Sequence, residues 1–331
     1  MTTQSPPTER NATGDYRRVG VEIEFAGLPP RTTAELIHRL FGGQLEASSP
    51  HRLWVHNTQW GDFRIELDSQ YAHPDERIMH PSTSDDSEWE RVRKEFHGRI
   101  RELIGDVATG LVPTEIVCPP TPWNALGALD NLFHVLREHG AKGTDASLLY
   151  GFGLHLNPEL PSLSVDTILA HIRAYLLLAT WLRDQIQVDI TREVLPHANP
   201  FPYDYSSLVL APDYAPNLPT LIDDYLHYNP TRNRELDLLP LFAFVAPEHP
   251  HPLLSGPLVQ PRPTFHYRLP NAQLSDPCWG VVSEWNRWLA VERLAANPKV
   301  LKQRSITYLA QHHASRWAQG CKALRRWVLG S

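Results

Sequence analysis

Polar and apolar residues alternate with a period of two along several stretches of the chain, and the first of these stretches carries two glutamates. Residues 17–28 read RRVGVEIEFAGL, so Glu22 and Glu24 share one side while apolar residues occupy the other. This alternation is typical of a β-strand with one buried face. Since residues i and i+2 lie about 6.5 to 7 Å apart on one side of a sheet, the two carboxylates can hold one divalent cation or two neighbouring ones.

The same pattern predicts further strands that also carry polar residues on one face. They cover residues 52–56, 62–68, 114–118, 149–157 and 262–269. Their polar faces hold Glu66 and Asp68, then Glu115, then His155 and Asn157, and finally Arg262, His266 and Arg268. Glycines at 151 and 153 leave space beside His155 for a ligand.

Apolar residues at helical spacing predict helices between and after these strands. The first begins with Thr32 or Thr33 as N-cap and ends at the glycines at 42 and 43. The others cover residues 85–107, 123–139, 164–186, 218–228, 236–245, 281–296 and 305–329. Two proline-rich stretches, 196–219 and 246–263, are predicted as ordered loops that form rims or lids over a cleft.

This order of elements predicts an α+β fold with a single domain over residues 15–331 and a helical C-terminal region at about 281–329. Residues 1–14 are polar and lack the apolar core of a signal peptide, so they are expected to form a disordered lead-in. The longest apolar run, 174–182, is far shorter than the roughly 20 residues that span a bilayer. It is predicted to be a buried helix segment.

Charge and cysteine content narrow the choice of partners and compartment. The net charge of -6 and the pI of about 6.3 argue against nucleic acid or an anionic membrane as partner. The three cysteines are widely separated in sequence, which argues against a disulfide framework and a thiolate zinc site. A reduced, cytoplasmic location is therefore expected.

Two interpretations of the polar faces fit the alternation equally well. An antiparallel sheet with one solvated face produces the same pattern in any protein. The polar faces of residues 17–28, 62–68, 149–157 and 262–269 contain Glu, Asp, His, Asn and Arg without lysine, however, and this composition suits a cleft that binds a metal ion and phosphate. Arg232, Arg234, Glu235 and Asp237 likewise fit either a functional site or the surface of a helix start.

Six strings, in this order, resemble the putative amidoligase family: VGVEIEFAGL, FRIELD, TEIVCPP, GTDASLLYGFGLHLNPEL, RNRELDLLPLF and RPTFHYRLPN. This family is grouped with glutamine synthetase and glutamate cysteine ligase as ATP-dependent carboxylate-amine ligases. The resemblance implies a glutamine-synthetase-like curved, mainly antiparallel sheet backed by helices. It also implies ATP and Mg²⁺ or Mn²⁺ as cofactors, and small-molecule or peptide carboxylates and amines as substrates.

The resemblance further implies roles for individual residues. The implied metal ligands are Glu22, Glu24, Glu66, Glu115 and His155. The implied catalytic residues are Arg268, Arg262 and Glu66, and the implied cofactor-binding residues are Arg232, Arg234, Asn157 and His266. One position departs from the pattern, because glutamine synthetase has an acidic residue where His266 stands here.

Two other functions are compatible with the same residues. A phosphoryl-transfer enzyme on this scaffold, such as a guanidino kinase, would release a stable phosphorylated product without a second amine. A non-catalytic descendant would bind a peptide or partner protein in the cleft, and His266 keeps this alternative open. The sequence leaves the oligomeric state undecided.

Overall fold

The computed structural model describes residues 1–67, 112–146, 152–186 and 198–312. The helix predicted over 85–107, the end of the helix predicted over 305–329, and Asp68 lie outside these residues, as do the first residues of the strand predicted at 149–157. Within the described residues, one antiparallel sheet combines with helices in the predicted α+β fold.

The sheet is assembled from segments that are distant in sequence. Its strands are β1 (Arg18–Phe25), β2 (Gln44–Ser49), β3 (Arg52–Thr58), β4 (Gly61–Leu67), β5 (Thr114–Pro122), β6 (Leu154–Pro158), β7 (Leu236–Asp237) and β8 (His266–Tyr267). Their order is β2-β3-β4-β5-β1-β6-β8-β7, and each neighbouring pair is antiparallel. The strand β1, which carries Glu22 and Glu24, therefore lies inside the sheet between β5 and β6.

Helices cover the apolar face of this sheet. They are α1 (Pro30–Phe41), α2 (Gly127–Glu138), α3 (Val165–Ile186), α4 (Tyr203–Leu210), α5 (Leu218–Tyr228), α6 (Leu239–Val245), α7 (Val281–Ala295) and α8 (298–312). The ring of Phe41 in α1 stacks on Phe63 of β4 with centroids 5.4 Å apart. Tyr267 of β8 contacts Tyr175 of α3 at 5.9 Å and Trp288 of α7 at 5.1 Å. These contacts leave the polar face of the sheet on the opposite side.

The helix α3 contains the longest apolar run, and it is buried on one face only. Tyr175 and Leu182 are fully buried, whereas Trp181 is 41% exposed. By length and composition alone this helix is able to cross a membrane. Its contacts with β8 through Tyr175 are those of a core helix, so the prediction of a buried segment holds for one side of the run.

Several helix boundaries differ from the sequence prediction. The helix α1 begins at Pro30 with Pro29 as N-cap, so the predicted threonine N-cap is wrong; the fixed φ of proline suits the first helical turn. The stretch 196–219, predicted as a loop, contains α4, whose Tyr205 packs into an aromatic cluster with Tyr225. The helix predicted over 123–139 is divided into a short 3-10 turn and α2.

The strand predictions differ mainly at the edges of the sheet. The sequence pattern does not predict β2, because most of its residues are exposed and it lacks apolar alternation; pairing with β3 keeps it extended. The strand predicted over 262–269 is reduced to β8, since Pro263 and Pro270 have no N–H to donate to a ladder. The first residues of the helix predicted over 236–245 form β7 instead and pair with β8.

Residues 1–14, for which the sequence predicts a disordered lead-in, lie against the rest of the domain. Gln4 N donates to Asn286 Oδ1 at 2.9 Å, and Trp285 Nε1 donates to Gln4 O at 3.0 Å. Trp123 Nε1 also donates to Glu9 O at 3.2 Å. These contacts connect residues 1–14 to α7 and to the start of the 3-10 turn.

Gly143 allows two backbone segments to pack without a side chain between them. A Cβ atom at this position would clash with Ala272 O, the same atom that accepts a 2.8 Å hydrogen bond from Thr144 N. We expect Gly143→Ala to lower the free energy of unfolding by about 1 to 3 kcal/mol or more, because overpacking forces the backbone apart. Urea denaturation measures this change.

Gly127, the first residue of α2, provides a matched control. Apart from its chain neighbours and the adjacent backbone of its own helix, no atom in the described part of the chain lies within 4 Å of a Cβ placed at this position. Gly127→Ala is therefore expected to change the free energy of unfolding by less than about 1 kcal/mol, and in the stabilising direction. Equal destabilisation by the two substitutions would show that the close approach at Gly143 has no energetic consequence.

Candidate functional site

Glu22 is the centre of the polar face, and side chains from two other segments converge on it. Its Oε1 accepts a 2.9 Å hydrogen bond from Asn157 Nδ2, and its Oε2 lies 3.2 Å from His155 Nδ1. Arg262 Nη2 lies 3.5 Å from Oε1, and His266 Nε2 lies 3.7 Å from Oε2. Antiparallel pairing places His155 directly opposite Glu22, which explains why the two side chains meet.

This part of the polar face is closed. The side chain of Glu22 is 13% exposed, and His155, Asn157 and His266 are buried. A solvated sheet face would leave these groups in water. The burial argues against a freely solvated face, and buried polar groups require partners.

The protonation states in the cleft suit a cation. Burial acts to raise the pKa of Glu22, but the hydrogen bond with His155 and the charge of Arg262 hold this pKa well below its usual range. Burial lowers the pKa of His266 to about 3, despite the nearby carboxylates of Asp237 and Glu22. At neutral pH, Glu22 is therefore an ionised carboxylate and His266 a neutral imidazole with one free lone pair.

Glu24 and Glu115 place two more carboxylates beside His155. The two residues are directly opposite each other on β1 and β5. Glu24 is buried, and its Oε2 accepts a 3.0 Å hydrogen bond from Gly153 N. Like charges facing each other across strands are destabilising, and a bound cation would offset that repulsion.

Within the part of the chain that the structure describes, two groups of side chains have the composition and spacing of metal ligands. One consists of Glu22, His155 and His266, and the other of Glu24, Glu115 and His155. Within each group, one potential ligand atom per residue lies within 4.8 Å of the others. His155 belongs to both groups because it is the cross-strand partner of Glu22 and also lies close to the carboxylates of Glu24 and Glu115.

Glu66 lies on the same face but is held by arginines. It is the cross-strand partner of Glu115. Its Oε2 accepts a 2.7 Å hydrogen bond from Arg52 Nε, and its Oε1 lies 3.2 Å from Arg64 Nη1. Among the described residues, Glu66 belongs to neither ligand group.

Three of the predicted arginines border the cleft. Arg262 Nη2 donates a 2.9 Å hydrogen bond to Asn157 Oδ1, and Arg268 Nη1 donates one of 3.0 Å to Arg232 O. Burial lowers the pKa of Arg232, and the neighbouring charges of Arg268 and Arg262 lower it further, although Asp237 acts in the opposite direction. The buried Nε atoms of Arg232 and Arg262 have no hydrogen-bond partner within the described ranges.

Arg234 is directed away from this cleft. Its guanidinium donates to Pro200 O and Tyr228 O and lies 5.9 Å from the ring centroid of Phe201. The neighbouring Glu235 is fully buried, and its Oε2 accepts a 2.9 Å hydrogen bond from Arg183 Nε of α3. These contacts are structural, and they connect β7 to the helices on the apolar face.

Asp237 is a candidate site residue that the sequence left undecided. It is fully buried, and its Oδ2 lies 3.6 Å from His266 Nδ1 and 4.0 Å from Arg268 Nη1. Its Oδ1 accepts a 3.0 Å hydrogen bond from Leu239 N at the start of α6. The alternation of Leu236, Asp237 and Leu238 is the signal that identifies it, but predicting a helix over these residues hides that signal.

The cleft thus combines two complementary kinds of group. Carboxylates and imidazoles can hold a divalent cation at one end. Guanidinium groups border the same space and can bind phosphate or carboxylate oxygens. Such a pair of sites suits a metal-bound polyanion next to a second anionic substrate.

Comparison with known proteins gives one match. A family model described as "Putative amidoligase enzyme" matches residues 15–290, which cover the whole sheet and its helices up to α7. No curated protein and no solved structure matches the chain.

Proposed function

We propose that this chain, which belongs to the putative amidoligase family, is an ATP-dependent carboxylate-amine ligase that forms an amide or peptide bond. The observation that carries the proposal is the closed cleft in which Glu22, His155 and His266 lie beside Arg262. Such a site brings a cation and a guanidinium to the same polyanion. We further propose a cytoplasmic location and Mg²⁺ or Mn²⁺ as the ion that accompanies ATP.

The reaction has two steps. An oxygen of the substrate carboxylate attacks the γ-phosphorus of ATP, the bond to the β,γ-bridging oxygen breaks, and ADP leaves. The amine nitrogen then attacks the acyl carbon, phosphate leaves, and a base takes the proton of the amine. A divalent cation would neutralise charge on the phosphate oxygens during this transfer.

The residues of the cleft have separate roles in this scheme. Glu22, Glu24, Glu115 and His155 would hold divalent cations, and Asn157 orients Glu22 and Arg262 by bonding to both. Arg262, Arg268 and Arg232 would stabilise the negative charge on the phosphoryl group and on the tetrahedral intermediate. Glu66 is proposed to orient Arg52 and Arg64 rather than to bind metal.

The test is ADP release from the purified protein with ATP, Mg²⁺ and pools of carboxylates and amines. We expect ADP release that requires both pools. Glu24→Gln removes a charge from the proposed ion site, and we expect it to lower that release by about tenfold or more. Equal ADP release from the two proteins would remove Glu24 from the site.

The same assay separates the other two functions. Phosphorylated guanidino product that forms without an amine pool would identify a kinase of the guanidino type. A protein that binds no ATP at any Mg²⁺ concentration would be a non-catalytic descendant. Either result would replace the ligase proposal.

A further inference from the structure

We propose that the group Glu22, His155 and His266 binds a first-row transition-metal ion in preference to Mg²⁺. This site is distinct from the oxygen-rich pair Glu24 and Glu115, which would be left to the Mg²⁺ that accompanies ATP. The preference for a transition-metal ion deepens the proposed ligase function. Its role in catalysis rests on that function. The preference in binding itself follows from the donor atoms of the site.

The donor set is one carboxylate and two imidazoles. Oxygen ligands suit Mg²⁺, which requires near-ideal octahedral geometry, whereas imidazole suits zinc, iron, nickel and copper ions. The ligand atoms of Glu22, His155 and His266 lie within 4.8 Å of one another, so one ion can contact all three after small side-chain movements. The His155 and His266 rings lie 5.2 Å apart and meet at 80°.

His266 provides an independent indication of a missing partner. Its side chain is 5% exposed, yet neither ring nitrogen has a hydrogen-bond partner among the residues that the structure describes. Buried polar atoms are nearly always satisfied, so this histidine requires an explanation. Its Nε2 faces Glu22 Oε2 across 3.7 Å, a gap that is too long for a hydrogen bond and that a shared metal ion would bridge.

Asp237 completes this arrangement on the other side of the ring. Its Oδ2 lies 3.6 Å from His266 Nδ1 and has no hydrogen-bond partner in the described part of the chain. Metal-bound histidines almost always donate their second ring N–H to a carboxylate, carbonyl or water, which fixes the tautomer and the ring orientation. Asp237 is placed to accept that hydrogen bond and so to direct the lone pair of Nε2 toward Glu22.

His155 determines how the two ligand groups share the cleft. A neutral imidazole has one lone pair, so His155 can bind only one of two ions at a time. The Glu22 group already contains the imidazole of His266. Binding through His155 gives this group two imidazoles for a transition-metal ion, so His155 contributes more to this group than to the Glu24 and Glu115 group. Glu24 and Glu115 then keep two carboxylates, the ligand type that Mg²⁺ prefers together with water and phosphate.

The test is direct metal titration of protein that has been freed of metal by chelation, without nucleotide or substrates. Zn²⁺ and Co²⁺ are expected to bind more tightly than Mg²⁺. The visible absorption spectrum of bound Co²⁺ is expected to show the bands of a cobalt ion with nitrogen ligands. His266→Asp removes one of the two imidazoles and is expected to weaken Zn²⁺ binding by about tenfold or more. The same substitution is expected to reduce the difference between the affinities for Zn²⁺ and for Mg²⁺.

His249→Asn is the matched control, because His249 also faces a carboxylate, at 3.1 Å from Asp223 Oδ1, but lies outside both ligand groups. It is expected to leave Zn²⁺ binding unchanged. Unchanged Zn²⁺ affinity in His266→Asp would overturn the inference, and so would equal affinity of the unmodified protein for Zn²⁺ and Mg²⁺. The second result does not require the variant to fold.

This titration also separates the metal preference from the ligase proposal. Selective Zn²⁺ binding in a protein that never releases ADP would sink the ligase function and leave the metal site in place. ADP release by a protein that does not prefer Zn²⁺ to Mg²⁺ would overturn the metal preference and leave the ligase function in place.

Discussion

A Glu22→Gln variant is expected to release ADP about 100-fold more slowly than the unmodified protein, or more slowly still. This loss is larger than that expected of Glu24→Gln. The glutamine keeps the size of the side chain but carries no charge. It therefore no longer offsets the charge of a bound cation. The measurement is the rate of ADP formation with ATP, Mg²⁺, carboxylate and amine.

The control for this prediction is Glu46→Gln. Glu46 lies on the edge strand β2, its side chain is 66% exposed, and it lies 3.6 Å from His56 Nε2. Removing its charge is expected to leave ADP formation unchanged. Thermal unfolding of the Glu22 variant shows whether the fold is intact, and a folded variant that releases ADP at the normal rate would contradict the role of Glu22.

A Glu292→Ala variant is expected to lose about 3 to 5 kcal/mol of the free energy of unfolding, because it leaves a buried arginine without a counter-charge. Arg17 and Glu292 are only 2% and 3% exposed. Arg17 Nη1 and Nη2 donate to the two carboxylate oxygens at 2.8 and 2.6 Å, and Trp288 Nε1 adds a third bond of 3.0 Å. The pair connects the start of β1 to α7, and urea denaturation measures its contribution.

An exposed pair provides the comparison. Arg31 and Glu35 on α1 lie 3.3 Å apart with side chains 73% and 51% exposed. Glu35→Ala is expected to change the free energy of unfolding by less than about 0.5 kcal/mol, since solvent screens this pair. Replacing both Arg17 and Glu292 with apolar residues should cost less than Glu292→Ala alone, and a larger cost would contradict the desolvation argument.

Much of the site could be predicted because strand alternation is a local property. The spacing of Glu22 and Glu24, or of His155 and Asn157, determines that each pair shares a face, whatever the rest of the chain does. This spacing predicts the polar faces of β1 and β6, and the same alternation in β5 identifies Glu115 as a further carboxylate. The burial of Glu22 then argues against a freely solvated face.

The partners of Glu66 and Asp237 could not be predicted in this way. Glu66 pairs with Arg52 because β3 and β4 align these two residues opposite each other. Asp237 reaches His266 because β7, only two residues long, pairs with β8. Both contacts depend on strand register, and a two-residue strand has no periodicity that a sequence pattern can reveal.

The sequence alone determined the α+β fold, the family and the chemical types of the cleft residues, because these follow from local periodicity and from residue identity. The tertiary structure alone decided which of those residues meet. Glu22 and His155 are 133 positions apart, and only the antiparallel pairing of β1 with β6 brings them within 3.2 Å. The tertiary structure also changes the interpretation of His266. In the sequence it stands where a carboxylate is expected, but in the folded chain its ring faces both Glu22 and Asp237.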